Sequence, residues 1–174
     1  TGTINWTGSL ANGWTGGYYG GAIYSTNTGT VNITGNLNPG TYFGAGTQFN
    51  NWAYYNASTG TVNITGLVYG NARGYAVYNA STGRVNITGT AMSGPLATAY
   101  AVYSTTAGIV QVIGIVDTKT PPTVSCPAIY VTTGTVYLAA LVYNRSTLMS
   151  VFAPKIGLLT TGPTTWQMVD EGVG

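Results

Sequence analysis

The chain has 174 residues, 26 of them glycine and 14 tyrosine, and only 5% of it is charged, against about 25% in an ordinary globular domain. Its formal net charge is +2, and five cations scattered from Arg73 to Lys155 leave no electrostatic footprint for nucleic acid. Histidine is absent, Cys126 is the single cysteine, and Asp117, Asp170 and Glu171 are the carboxylates, so no metal, no cofactor and no enzymatic activity are expected.

The same composition, rich in aromatic and β-branched residues, argues against disorder. One cysteine excludes an intrachain disulfide, so burial and backbone pairing must hold the fold. The longest fully apolar run, Tyr137 to Tyr143, is far too short to span a bilayer, and no membrane insertion is expected. The sequence opens in mid-pattern at Thr1-Gly2-Thr3, which suggests a processed chain or an excised fragment.

In chain order, a block G-x-V-x-I-x-G opens at Gly2 (GTINWTG) and returns at Gly29 and Gly60 (GTVNITG), Gly83 (GRVNITG) and Gly108 (GIVQVIG). It fades at Gly134 (GTVYLAA), and the intervals run from 23 to 31 residues. A second block precedes each later one: Ala22-Ile23-Tyr24, Ala53-Tyr54-Tyr55, Ala76-Val77-Tyr78, Ala101-Val102-Tyr103 and Ala128-Ile129-Tyr130. A turn-like string such as Asn79-Ala80-Ser81-Thr82-Gly83 joins the two blocks, and the excursion that follows varies in length.

Inside the G-block the period is two. Val31, Val62, Val85 and Val110 share a face with Ile33, Ile64, Ile87 and Val112, while Asn32, Asn63, Asn86 and Gln111 share the other with Thr34, Thr65 and Thr88. Two residues beyond each block an apolar residue returns (Leu10, Leu37, Val68, Ala91, Val116, Val142). This predicts a corner or bulge at the second glycine and a third strand after it.

A unit of two or three short strands cannot bury its apolar face alone, but stacked units can, each strand bonding to its equivalent about 4.8 Å above and below. The expected fold is therefore all-β, a right-handed parallel β-helix of about six coils over residues 1–143. Equivalent residues then form columns: Val31, Val62 and Val85 with the Ile column inside, Asn5, Asn32, Asn63 and Asn86 outside, and a tyrosine column of Tyr24, Tyr55, Tyr78 and Tyr103. Residues 144–174 carry no repeat and read as a C-terminal cap or interface segment covering the last coil. The stretch Thr118 to Pro127 reads as a rigid excursion.

Candidate sites follow from this frame. Asp170 and Glu171 adjoin and would point to opposite faces of a strand, Asp117 stands apart from both, and Cys126 has no histidine to activate it, so no catalytic residue is assigned. Seven Asn-x-Ser/Thr triplets begin at Asn5, Asn32, Asn56, Asn63, Asn79, Asn86 and Asn144 and are candidate glycosylation acceptors. Four of them lie in N-W-T or N-I-T, where an outward asparagine ladder beside a threonine column produces the same triplet. A Thr-Gly-Thr array at the turns is interrupted by Arg84 and Ala107 and makes a poor ice-binding surface. The variable excursions carry Trp14, Tyr18, Tyr19, Tyr42, Phe43 and Trp52, aromatics that suit sugar rings or a sister subunit equally.

The string AVYNASTGRVNITG, followed by a Gly-rich excursion and a similar string, resembles the repeats of β-helical fibre and spike proteins of tailed bacteriophages, and those of repetitive bacterial surface adhesins. The likeness covers Gly2 to Val142. It implies a virion fibre, often trimeric, that displays receptor-binding loops on a stiff shaft; the acidic pair of depolymerase spikes is missing. The expected partners are thus further copies of the chain, as a homotrimer or a stacked filament, and a cell-surface glycan or receptor. The alternative is a secreted cell-surface filament or adhesin subunit that stacks end to end.

Overall fold

The alternation of Val and Ile with Asn and Thr dictates strands with one buried face, and a computed structural model supplies the partners for that face. The structure describes residues 2–11, 21–26, 28–38, 52–70, 74–94, 99–119, 126–143, 151–153 and 155–158. The strands are β1 (Thr3–Thr7), β2 (Leu10–Ala11), β3 (Gly21–Ser25), β4 (Thr30–Thr34), β5 (Leu37–Asn38), β6 (Trp52–Asn56), β7 (Thr61–Tyr69) and β8 (Tyr75–Asn79). They continue with β9 (Arg84–Met92), β10 (Val102–Ser104), β11 (Ile109–Asp117), β12 (Ile129–Val131), β13 (Thr135–Tyr143), β14 (Val151–Phe152) and β15 (Lys155–Leu158).

Every pairing between them is parallel. One sheet runs β1-β4-β7-β9-β11-β13-β15, with the short β2 and β5 beside it, and the other runs β14-β12-β10-β8-β6-β3. Each strand therefore bonds to the equivalent strand of the neighbouring repeat, and the chain alternates between the two sheets as it winds. The fold is a β-solenoid of stacked coils. The turns stack too: Arg84 N–H donates to Gly60 O at 3.0 Å, and Ala80 N–H donates to Asn56 O at 2.9 Å.

Register places like on like. Val31, Val62, Val85, Val110 and Val136 are successive partners, as are Ile33, Ile64, Ile87, Val112 and Leu138. The second sheet adds the inner column Ile23, Tyr54, Val77, Val102 and Ile129. These columns face one another and form one continuous core. Burying each such side chain contributes about 1.5–3 kcal/mol, so the columns dominate stability.

One expectation needs correction. No third strand starts after the second glycine in the central coils: β7, β9, β11 and β13 run unbroken for nine residues through Gly66, Gly89, Gly114 and Ala140. Only the first two repeats divide there, into β1 with β2 and β4 with β5. The strand bends because the glycine takes a positive φ, 136° at Gly66 and 131° at Gly89. A Cβ at Gly89 would run into the carbonyl oxygen of Gly66 one coil below, and the column keeps glycine until Ala140 in β13.

The tail takes part in the stack as well. Residues 151–158 extend the stack: β14 pairs with β12 and β15 with β13, both parallel. The non-repeat segment thus contributes a strand to each sheet, because backbone pairing requires only an open edge and not the repeat motif.

Candidate functional site

Two outer faces present ordered side chains. On the first sheet, asparagine holds the middle of the strand in four consecutive repeats, between buried Val and Ile in the last three and between exposed Ile4 and Trp6 in the first. Asn32 Nδ2 donates to Asn5 Oδ1, Asn63 Nδ2 to Asn32 Oδ1 and Asn86 Nδ2 to Asn63 Oδ1, each at 2.8 Å. The ladder ends where Gln111 takes the place of asparagine in the next strand, and Asn86 Oδ1 is left buried without a hydrogen-bond partner. Exposed Thr7, Thr34, Thr65 and Thr88 form a column beside it.

On the second sheet the outer positions are aromatic. Tyr24, Tyr55, Tyr78, Tyr103 and Tyr130 share one register position. Their ring centroids follow one another at 5.0, 4.8, 4.9 and 5.8 Å. Three residues earlier in the chain, Trp52, Tyr75 and Tyr100 make a second row packed against the first, with Trp52 4.8 Å from Tyr55 and Tyr100 5.2 Å from Tyr103. Along the main row the contacts pass from stacked (24°, Tyr24–Tyr55) through edge-on (71°, Tyr55–Tyr78) to tilted (45° and 34°). Tyr24, 61% exposed, is the most open of them.

Trp52 is therefore no loop residue. It opens β6, half-buried, with Gly21 as its register partner. A side chain at Gly21 would collide with the indole, so the small residue makes room for the large one. Trp14, Tyr18, Tyr19, Tyr42 and Phe43, the other aromatic candidates, lie outside the described residues, as does Asn144.

The seven Asn-x-Ser/Thr positions divide by geometry. Asn5, Asn32, Asn63 and Asn86 are in the outer ladder. Asn56 and Asn79 point inward at the turn and are fully buried, so the folded chain has no room for a glycan on either. Asn56 Oδ1 accepts from Ser58 N–H at 3.1 Å, Asn56 Nδ2 donates to Asn79 Oδ1 at 2.8 Å, and Asn79 Nδ2 donates to Ser104 Oγ at 3.4 Å. This inner polar ladder was not foreseen from sequence. Its only sign was the recurrence of Asn at the end of the A-x-Y block in two successive repeats.

Burial governs the titratable groups of the second sheet. Desolvation pushes Tyr54 up to about 12, against a smaller lowering by neighbouring Ser25. It pushes Tyr100 up to about 12 as well, helped by Cys126 and the adjacent phenols. Tyr75, Tyr55 and Tyr103 are raised by burial and then by their neighbours in the row. The Cys126 thiol, buried and hydrogen-bonded to Tyr100, is pushed up to about 12, which makes it a poor nucleophile. Lys119 lies over the Tyr69 ring at 5.6 Å, and among the described residues no three His, Cys, Asp or Glu side chains converge as metal ligands.

A cavity of about 490 Å³ opens at the N-terminal end of the core. Ile4, Trp6, Leu10, Ile23, Tyr24 and Val31 are among its walls. Comparisons with family models, curated proteins and solved structures return no match.

Proposed function

We propose that this chain is a structural and adhesive module of a virion fibre or spike: a rigid, right-handed β-helical shaft of about six coils that carries variable binding loops. The carrying observation is the register of identical side chains, Val on Val, Ile on Ile and Asn on Asn, through successive coils. Such stacking directs hydrogen bonds along the rod axis and resists bending, while excursions at the coil corners change without disturbing the columns. The right hand is the expected sense of parallel crossovers. On this reading the chain is extracellular, non-catalytic and self-associating, and a cell-surface glycan or receptor is its target. Negative-stain images of the native assembly should show stiff, discrete rods; compact particles without a rod axis would overturn the proposal.

A second reading, a secreted surface filament or adhesin subunit that stacks end to end, draws on the edge of the first sheet. There β1 has a strand on one side only among the described residues, and Ile4 and Trp6 are 55% and 44% exposed. Continuous filaments in the same images, and glycan mass on the intact chain, would select it.

A further inference from the structure

The tyrosine rows contain more chemistry than packing needs. A phenol that loses one electron and its proton becomes a phenoxyl radical with spin density on the ring carbons ortho to oxygen. Two such radicals in contact join through those carbons, and each then recovers its aromatic ring. The coupling needs phenols held in contact along a path by which a radical can move, and this face supplies both. From Tyr24 to Tyr130 no ring of the main row is more than 5.8 Å from the next. Tyr75 and Tyr100 stack on each other at 5.7 Å and 9°, within the same array.

We infer that this face is an oxidative cross-linking site, at which a peroxide-driven one-electron oxidant forms dityrosine between coils. The favoured pairs are diagonal. Directly opposed residues on neighbouring parallel strands are held about 4.8 Å apart, whereas Tyr100 and Tyr75 stand three residues before the register partners of Tyr130 and Tyr103, and the longer backbone separation leaves space for a biaryl joined beside its hydroxyls. Tyr100 and Tyr130 are one diagonal pair, with centroids 5.1 Å apart and planes 22° from parallel. Tyr75 and Tyr103 are another, at 4.9 Å and 30°. Tyr24 is the open point of entry, and the radical passes inward by exchange between touching rings until it meets a second one. The balance closes without further reagents: two phenols and one hydrogen peroxide give one dityrosine and two waters, the phenols losing two electrons and two protons. Each bond staples one coil covalently to the next. The inference rests on ring geometry and does not depend on the role of the shaft.

The test treats the dilute, folded full-length chain with a haem peroxidase and hydrogen peroxide, in wild type and in Cys126→Ser. The second background removes a thiol that can quench the Tyr100 radical. The expected products are monomers that have lost two hydrogens per link, with dityrosine fluorescence, and peptide mapping finds Tyr100 joined to Tyr130 and Tyr75 to Tyr103. Tyr100→Phe keeps a ring in place and should abolish the first link while sparing the second; Tyr130→Phe should do the same if Tyr100→Phe fails to fold. Links distributed equally to Tyr69, Tyr137 and Tyr143 on the first sheet would overturn the inference. So would fluorescence that appears only as covalent dimers and scales with protein concentration, or its absence from folded monomer.

Discussion

The two sheets solve one problem in two ways. Both line their inner side with small and branched apolar residues, yet outside the first stacks asparagine on asparagine through directional 2.8 Å hydrogen bonds, and the second stacks tyrosine on tyrosine through ring contacts. A stacked coil requires only that each residue tolerate its own kind above and below. An amide does so because it is donor and acceptor at once, and a phenyl ring because its faces and edges are complementary. The difference lies in what each column asks of its surroundings. The amide column can face water, whereas the aromatic column buries Tyr75 almost completely and draws titratable hydroxyls into low dielectric.

Alkali should therefore strike the second sheet, and this is the largest effect expected. Tyr54 and Tyr100 have folded pKa values of about 12 against an ordinary 10.0, and Cys126 about 12 against 9.0. The folded chain holds these protons more tightly than the unfolded one. The stability they contribute is thus complete below pH 9, begins to fall from 9 to 10 as the unfolded groups ionise, and is lost by about 12. Far-UV circular dichroism and phenolate absorbance recorded together should show the raised phenols ionising as the sheet signal collapses. Complete ionisation near pH 10 with the sheet intact would refute the burial argument.

Within the first sheet the core and the bend can be weighed against one another. Ile64→Ala removes a fully enclosed link of an inner column and should cost about 2–5 kcal/mol. Gly89→Ala changes no core contact; forcing a side chain to a φ of 131° costs about 1–3 kcal/mol, and the clash with the Gly66 carbonyl adds to it. Both should lower the urea midpoint, while Thr88→Ala, on the exposed column next to the bend, should stay within about 0.5 kcal/mol of wild type. A Gly89→Ala variant as stable as wild type would show that the bend is adaptable.

Sequence reasoning reached the first sheet better than the second, for a physical reason. In G-T-V-N-I-T-G the alternation is strict and the glycines mark both ends, so the pairing of Val31, Val62 and Val85 could be written down from spacing alone. The A-x-Y block is three residues long, too short for alternation to say which neighbours continue the strand. Trp52 thus looked like part of an excursion, and Tyr54 gave no sign that it takes an inner place between Ile23 and Val77. Bends inside β7 and β9 looked like strand ends because a glycine reads the same in both settings. The strands at 151–158 carry no motif, and only an available edge accounts for them.

The smallest expected difference concerns two asparagines that the triplet motif does not distinguish. Asn79 sits fully buried between Asn56 and Ser104, and Asn79→Ala removes the shorter of the two hydrogen bonds that Asn56 Nδ2 donates, leaving only the one to Ser58 O at 3.3 Å. An unsatisfied buried N–H costs about 1–3 kcal/mol, and both asparagines are fully buried. Asn63 occupies the same kind of ladder on the outer side, between Asn32 and Asn86, where all three residues are only half-buried. Asn63→Ala should then cost only the net worth of its hydrogen bonds, about 0.5–1.5 kcal/mol. Paired urea titrations of the two variants measure the gap. Equal losses would mean that the outer ladder is as dry as the inner one, and that water plays no part in how the two faces differ.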